Sequence, residues 1–236
     1  MYNIELIKEE IIKNGNTNLI TDSGLTSGQQ IFAIGDSHTI FFYNSLKIKE
    51  HWFFGGNLPL TIYRLLNEEL DIYNIGNILG NQHEKYNIKR NDYVIFYFGY
   101  NDIQKNIYIY SKNTWKQDIN ELCTNYIKKI IELQDKYKIH PIIPSIYPNP
   151  LPEAKGLNSN GYNEERTKYV LFANNLLNKL CKDYKIDFLD IYHIITDEKG
   201  FIKTELSKDK IHLDYDNNNL RIIIENKILE ICSYPS

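Results

Sequence analysis

Short apolar runs alternate with amphipathic stretches of ten or more residues, and that alternation restricts the fold of this chain more than any other feature. Ile31–Ile34, His51–Phe54, Tyr93–Phe98, Ile139–Ile146 and Ile186–Asp190 read as strands. Residues 39–48, Pro59 to Leu70, Trp115–Tyr137, Asn163–Tyr184 and Tyr215–Ile231 read as helices. Trp115–Tyr137 carries the plainest helical stripe, with Ile119, Leu122, Tyr126, Ile130 and Leu133 on one face. Pro141 and Pro144 predict an edge position or irregular geometry for the fourth strand, because proline cannot donate to a ladder. Strands alternating with helices build βαβ units, hence an α/β fold. The expectation is one three-layer α/β/α sandwich with a mainly parallel five-stranded sheet. Residues 2–13 predict a further amphipathic helix ended by Gly15. With the polar stretch to Gln30, they set an N-terminal extension, 1–30, apart from a main domain, 31–236.

At 236 residues, 42% hydrophobic and 24% charged, the chain can bury one full core. Alanine occurs only at Ala33, Ala154 and Ala173, and valine only at Val94 and Val170, so the core is built from Ile, Leu, Phe and Tyr. A net charge of −3 and a pI near 6.1 supply no field for nucleic acid or an anionic membrane, and neither is expected as a partner. No apolar run approaches the ~20 residues of a bilayer span. The first ten residues lack a signal-peptide core, which makes a cytoplasmic protein the expectation. Cys123, Cys181 and Cys232 are odd in number and widely spaced, and Cys123 and Cys181 fall inside helical patterns as small buried hydrophobes. No H-x-x-x-H pair exists among His38, His51, His83, His140, His193 and His212.

Three polar clusters fall where an open parallel sheet binds its ligands, outside the carboxyl ends of strands or near the C-terminus. They are Gly35-Asp36-Ser37-His38-Thr39, Gly99-Tyr100-Asn101-Asp102 and Asp209-Lys210-Ile211-His212-Leu213. Singly each has an ordinary reading, as a turn, a helix cap or a surface pair. Jointly they supply what acyl transfer requires: a hydroxyl nucleophile, an imidazole base, an orienting carboxylate and oxyanion donors. The order Ser, Asp, His also fits the ordinary α/β-hydrolases, but those need G-x-S-x-G and position 39 is Thr.

From Ile31 to about Ile224 the chain resembles the SGNH hydrolases, also called GDSL-type esterases and lipases. Gly35-Asp36-Ser37 is similar to their nucleophile block, with His-Thr where the name-giving members have Leu. Gly99-Tyr100-Asn101-Asp102 is similar to G-x-N-D, and Asp209-x-x-His212 to the final D-x-x-H. The resemblance implies the flavodoxin-like sandwich, with Ser37 as nucleophile, His212 as general base and Asp209 orienting it. The Ser37 N–H, the Asn101 amide and a glycine N–H would receive the oxyanion. Connection length favours Gly56 for that glycine over Gly76 and Gly80, with its neighbour Gly55 also left open. Gly76 and Gly80 resemble the family's N-x-G-x-x-G run but with one residue too many.

No metal or organic cofactor is implied, although Asp209, His212 and Asp214 could be read as metal ligands. His38 and Tyr100 are candidate substrate contacts, and Trp52, Trp115 and Tyr147 are further candidates for flat faces against a sugar ring. The polar loop Pro148–Tyr162 disfavours a long acyl chain, so the expected substrate is a small-acyl ester, an O-acetyl saccharide by analogy with the family. An O-acyltransferase with the same site, and a non-catalytic carbohydrate-binding domain, are the competing readings.

Overall fold

The computed structural model describes Leu25, 28–42, Ser45, 47–53, 61–67, 88–152, Ala154 and 164–233. The expected helix at 2–13, the glycine candidates Gly55, Gly56, Gly76 and Gly80, and most of the loop 148–162 lie outside those residues.

Five strands, β1 Ile31–Gly35, β2 Ile48–Phe53, β3 Tyr93–Tyr97, β4 His140–Pro144 and β5 Asp187–Leu189, form one sheet in the order β2-β1-β3-β4-β5. Every neighbouring pair is parallel. Strand residues alternate between two hydrophobic clusters, as the pleat requires. Phe32, Ile34, Val94, Phe96 and Ile143 face one cluster, covered by α1 Ile62–Asn67, α2 Trp115–Tyr137 and α3 Glu164–Tyr184. Ile31, Ala33, Tyr93, Ile95, Tyr97 and Ile142 face the other, covered by α4 Asn218–Ser233 and the segment around Ile191–Ile202. These are the three layers of the α/β/α sandwich. Gln29 and Gln30 already belong to its packing: the Gln30 N–H donates to Asp92 at 2.9 Å and its carbonyl accepts from Tyr93 N–H at 2.9 Å.

Helix α2 has the bounds its periodicity predicts. Thr114 precedes it, its hydroxyl on Asp118 at 2.9 Å, and Lys138 closes it in the left-handed region at φ 56°. The free thiols of Cys123, Cys181 and Cys232 are all buried.

Two expectations change. The predicted helix at 39–48 is a 3₁₀ helix, Ser37–Phe42, and β2 begins at Ile48. The Ser45 hydroxyl accepts the N–H groups of Lys47 at 3.2 Å and Ile48 at 3.0 Å, closing a turn where the helix would have continued. Strand β4, despite its prolines, lies inside the sheet between β3 and β5. Its register explains why. His140 N–H donates to Asp92 on the β3 side and Ser145 N–H to Leu189 on the β5 side, so even-numbered residues face β3 and odd-numbered ones β5. Pro141 faces β5 ahead of the first pair, Ile142↔Asp187, and Pro144 faces β3 beyond the last, Ile142↔Ile95. The acceptor Pro144 leaves unused is the Phe96 carbonyl. The Tyr126 hydroxyl, reaching up from α2, donates to it at 2.9 Å.

Candidate active site

From β1 the chain crosses to β2 on one flank and returns to β3 on the other, so the crevice beyond β1 and β3 is the topological switch point. The first two sequence clusters meet there. Gly35 ends β1 against Tyr97: a Cβ at position 35 would stand 2.1 Å from the Tyr97 carbonyl oxygen, so only glycine lets the strands approach. Asp36 N–H donates to that same carbonyl at 3.2 Å. The Asp36 carbonyl takes the N–H of Thr39 at 3.1 Å and its hydroxyl at 2.8 Å, and the Asp36 carboxyl takes the His38 N–H at 3.0 Å. This turn presents Ser37, which is only partly buried, at the start of the 3₁₀ helix.

Beyond β3, Gly99 adopts φ 111°, a conformation glycine tolerates, and the chain turns into a π-helix, Asp102–Ile107, that runs on through Tyr110. Asn101 makes no capping bond with its side chain. Asp102 caps in its place, and it caps another helix: its carboxyl accepts the N–H of Ile62 at 2.8 Å and of Tyr63 at 3.0 Å, at the first turn of α1. Asn101 itself is buried, 7% exposed, at the start of the π-helix that follows β3.

The third cluster arrives on the loop between β5 and α4. The His212 ring contacts the Ser37 hydroxyl through Nε2 at 2.9 Å and Asp209 Oδ2 through Nδ1 at 2.7 Å. Asp209 Oδ1 accepts the N–H groups of Ile211 at 2.8 Å and His212 at 2.7 Å, a turn that needs Lys210 at φ 69°. Lys210 is tied in turn by its carbonyl, which accepts Leu151 N–H at 2.9 Å from the loop after β4. Burial pushes the Asp209 carboxyl up, but the His212 ring and the two backbone donors outweigh it and hold the group below its ordinary range. Asp214 lies outside this chain of bonds and pairs with Lys208 at 3.0 Å. Among the described residues no three His, Cys, Asp or Glu side chains converge as metal ligands.

Beneath the site the carboxyls behave differently. Burial pushes Asp36 up to about 7 and Asp102 to about 6, against the backbone hydrogen bonds that favour their charged forms.

His38 and Tyr100 are 2% and 4% exposed and sit behind His212, in a cluster of rings with Tyr97 and Tyr147. Trp115 stacks on Tyr169 at 4.3 Å and 9°, between α2 and α3, so it serves packing rather than a sugar face. Trp52 has no described side chain. One participant has no signal in the sequence. Gln104, fully buried, donates to the Tyr147 carbonyl at 2.8 Å, joining the π-helix to the end of β4.

Residues 31–220 match the family model of the GDSL-like lipases and acylhydrolases, well over half of the chain. The chain belongs to that family. Among curated proteins no sequence matches significantly. Solved structures of similar fold include a GDSL-like lipase from Bacteroides thetaiotaomicron, at 19% identity, TM-score 0.56, with 93% of this chain and 97% of that one covered. An acetylxylan esterase from Geobacillus stearothermophilus, solved as a catalytic mutant, matches at 14% identity, TM-score 0.52, over 89% and 97%. A further acetyl xylan esterase matches at 16% identity, TM-score 0.51, over 85% and 98%. At these identities the likeness is one of fold, and this GDSL-family acylhydrolase shares its architecture with them.

Proposed function

We propose that this acylhydrolase is a serine esterase that removes a small acyl group, acetyl, from a saccharide through an acyl-enzyme. The observation that carries the reading is the unbroken chain from Ser37 Oγ to His212 Nε2, at 2.9 Å, and from His212 Nδ1 to Asp209, at 2.7 Å, at the sheet's switch point.

A serine hydroxyl at its free pKa is a poor nucleophile, so His212 Nε2 takes its proton as Oγ attacks the ester carbonyl. Asp209 holds the Nδ1–H tautomer and stabilises the imidazolium. The tetrahedral oxyanion is received by the Ser37 N–H, the Asn101 amide and the Gly56 N–H, each donor worth on the order of 3 kcal/mol in sites of this kind. As the C–O bond breaks, the His212 imidazolium gives its proton to the departing sugar oxygen, which leaves as a hydroxyl with Ser37 acylated. Water, activated by the same imidazole, releases acetate and restores the serine. The saccharide assignment is supported by the polar loop after β4 and by the two acetyl xylan esterases that share the fold.

The test is hydrolysis of p-nitrophenyl acetate and of an acetylated xylo-oligosaccharide, with mass spectrometry after fluorophosphonate treatment. Activity insensitive to chelator, abolished by Ser37→Ala, and one adduct on the peptide bearing Ser37 are expected. Full activity in Ser37→Ala, or the absence of an adduct where a control esterase labels, would sink the reading. Acetyl transfer to an added acceptor sugar in preference to water would reassign it to the transferases.

A further inference from the structure

The His38 ring is gripped without a hydrogen bond among the described residues. It follows Ser37 directly, is 2% exposed, and neither ring nitrogen has a partner among the described residues. Among the described residues it is packing that orients the ring. Tyr147 stacks on the ring at 3.9 Å and 22°, and Tyr100 meets it edge-on at 4.4 Å and 67°. The Tyr97 ring lies farther off at 6.5 Å and 53°, and the His212 ring approaches at 4.9 Å and 47°. Tyr147 is itself fixed by Gln104, whose amide holds its carbonyl. A contiguous set of contacts therefore runs from the π-helix through Gln104, Tyr147 and His38 to His212.

His212 needs a lateral stop. Its two hydrogen bonds leave from Nδ1 and Nε2, and they define a line through the ring but do not prevent rocking about that line. In the mechanism proposed above, on which this inference rests, the Ser37 bond is lost once Oγ is acylated, and Asp209 alone then holds the base. An error of about 1 Å in a catalytic group costs on the order of 100-fold in rate.

We propose that His38 is a positioning residue, its ring wedged between Tyr147 and Tyr100 as the stop that keeps the His212 imidazole aligned between Asp209 and Ser37. The ionisable groups around it are Asp36 on its own turn, Lys105 from the π-helix, Tyr97, Tyr100, Tyr147 and His212. Burial first, then the charges of His212 and Lys105, hold the pKa of His38 well below its ordinary value. The stop thus stays neutral while the base beside it gains its proton.

The experiment compares His38→Ala and His38→Phe in the full chain, reading kcat and KM with p-nitrophenyl acetate and the low-field proton resonance of the His212–Asp209 bond. His38→Ala is expected to lower kcat about 10- to 100-fold with KM within about threefold, and to broaden or remove the resonance. His38→Phe, which keeps a flat ring, is expected to recover kcat to within about threefold and restore the resonance. Wild-type kcat and resonance in His38→Ala would overturn the proposal. So would a folded His38→Phe as slow as His38→Ala, since a ring nitrogen would then be in use. Should His38→Ala fail to fold, Tyr147→Leu removes the backing ring instead: a kcat loss at constant KM is expected, and an unchanged kcat overturns the proposal. Fluorophosphonate labelling separates the two readings. An unlabelled wild type rejects the esterase, whereas a labelled wild type with an equally fast His38→Ala rejects only the positioning role.

Discussion

Asp36 and Asp209 stand one residue before Ser37 and three before His212, yet their surroundings drive them in opposite directions. Asp36 is 3% exposed on the floor of the site, just beyond β1, and is pushed up to about 7 by burial. The Asp209 side chain is 53% exposed on a loop, and its hydrogen bonds hold it below the usual carboxylate range. The floor uses carboxyls to fold backbone, and the loop holds one against the His212 ring, where the proposed mechanism has it steer the base. Residue type alone does not decide between those uses; the balance of desolvation and donors does.

The sharpest way to break the comparison is Asp209→Asn. Losing the charge and the tautomer control should lower kcat on the order of 10³- to 10⁴-fold, measured with p-nitrophenyl acetate. Stability should change by less than about 1 kcal/mol, because the group is half exposed. A large loss of stability with activity retained would reverse the two roles.

Asp36→Asn tests the other side through pH. The folded pKa lies above the ordinary value, so the folded state holds the proton more tightly. The stability Asp36 contributes is therefore full below about pH 4 and is lost as pH rises towards about 7. Asparagine is neutral throughout and can still accept the His38 N–H. The variant should match wild type in acid and gain on the order of 2–4 kcal/mol above pH 7, by denaturant unfolding across that window. A gain independent of pH would contradict the assignment.

Asp102→Ala should cost about 1–3 kcal/mol, since the N–H groups of Ile62 and Tyr63 lose their acceptor at the first turn of α1. The smallest effect belongs to Lys208, which bridges Asp214 and Asp216 at 3.0 Å each but is two-thirds exposed. Lys208→Ala should leave Tm unchanged and kcat within about twofold, and a greater loss would make this surface clamp part of the base loop's alignment.

Much of this was legible in the residues. Strand β3 is aromatic and β-branched with a glycine two residues beyond it, and α2 carries an unbroken stripe, so both stand out by local pattern. The three polar clusters were legible because parallel strands leave their ligand-binding residues at one end. The helical stretch 102–110 was not, because its buried face holds Asp102 and Gln104 as well as Ile103 and Ile107, and a π-turn breaks the 3.6-residue period. The inner position of β4 depends on how two prolines fall against the ladders of its neighbours, which no single strand reveals. The His38 packing joins residues 38, 100, 147 and 212, and nothing local marks those partners.

The hydroxyl of Tyr126 makes one helix chemically part of the sheet. Where Pro144 has no hydrogen to give, a side chain from α2 completes the ladder at Phe96, so strand and helix cannot part without exposing a buried carbonyl. In native-state hydrogen exchange, β3 and α2 should therefore open together, as a single cooperative unit, and the strand that leads to Asn101 would lose its order only when the longest helix does.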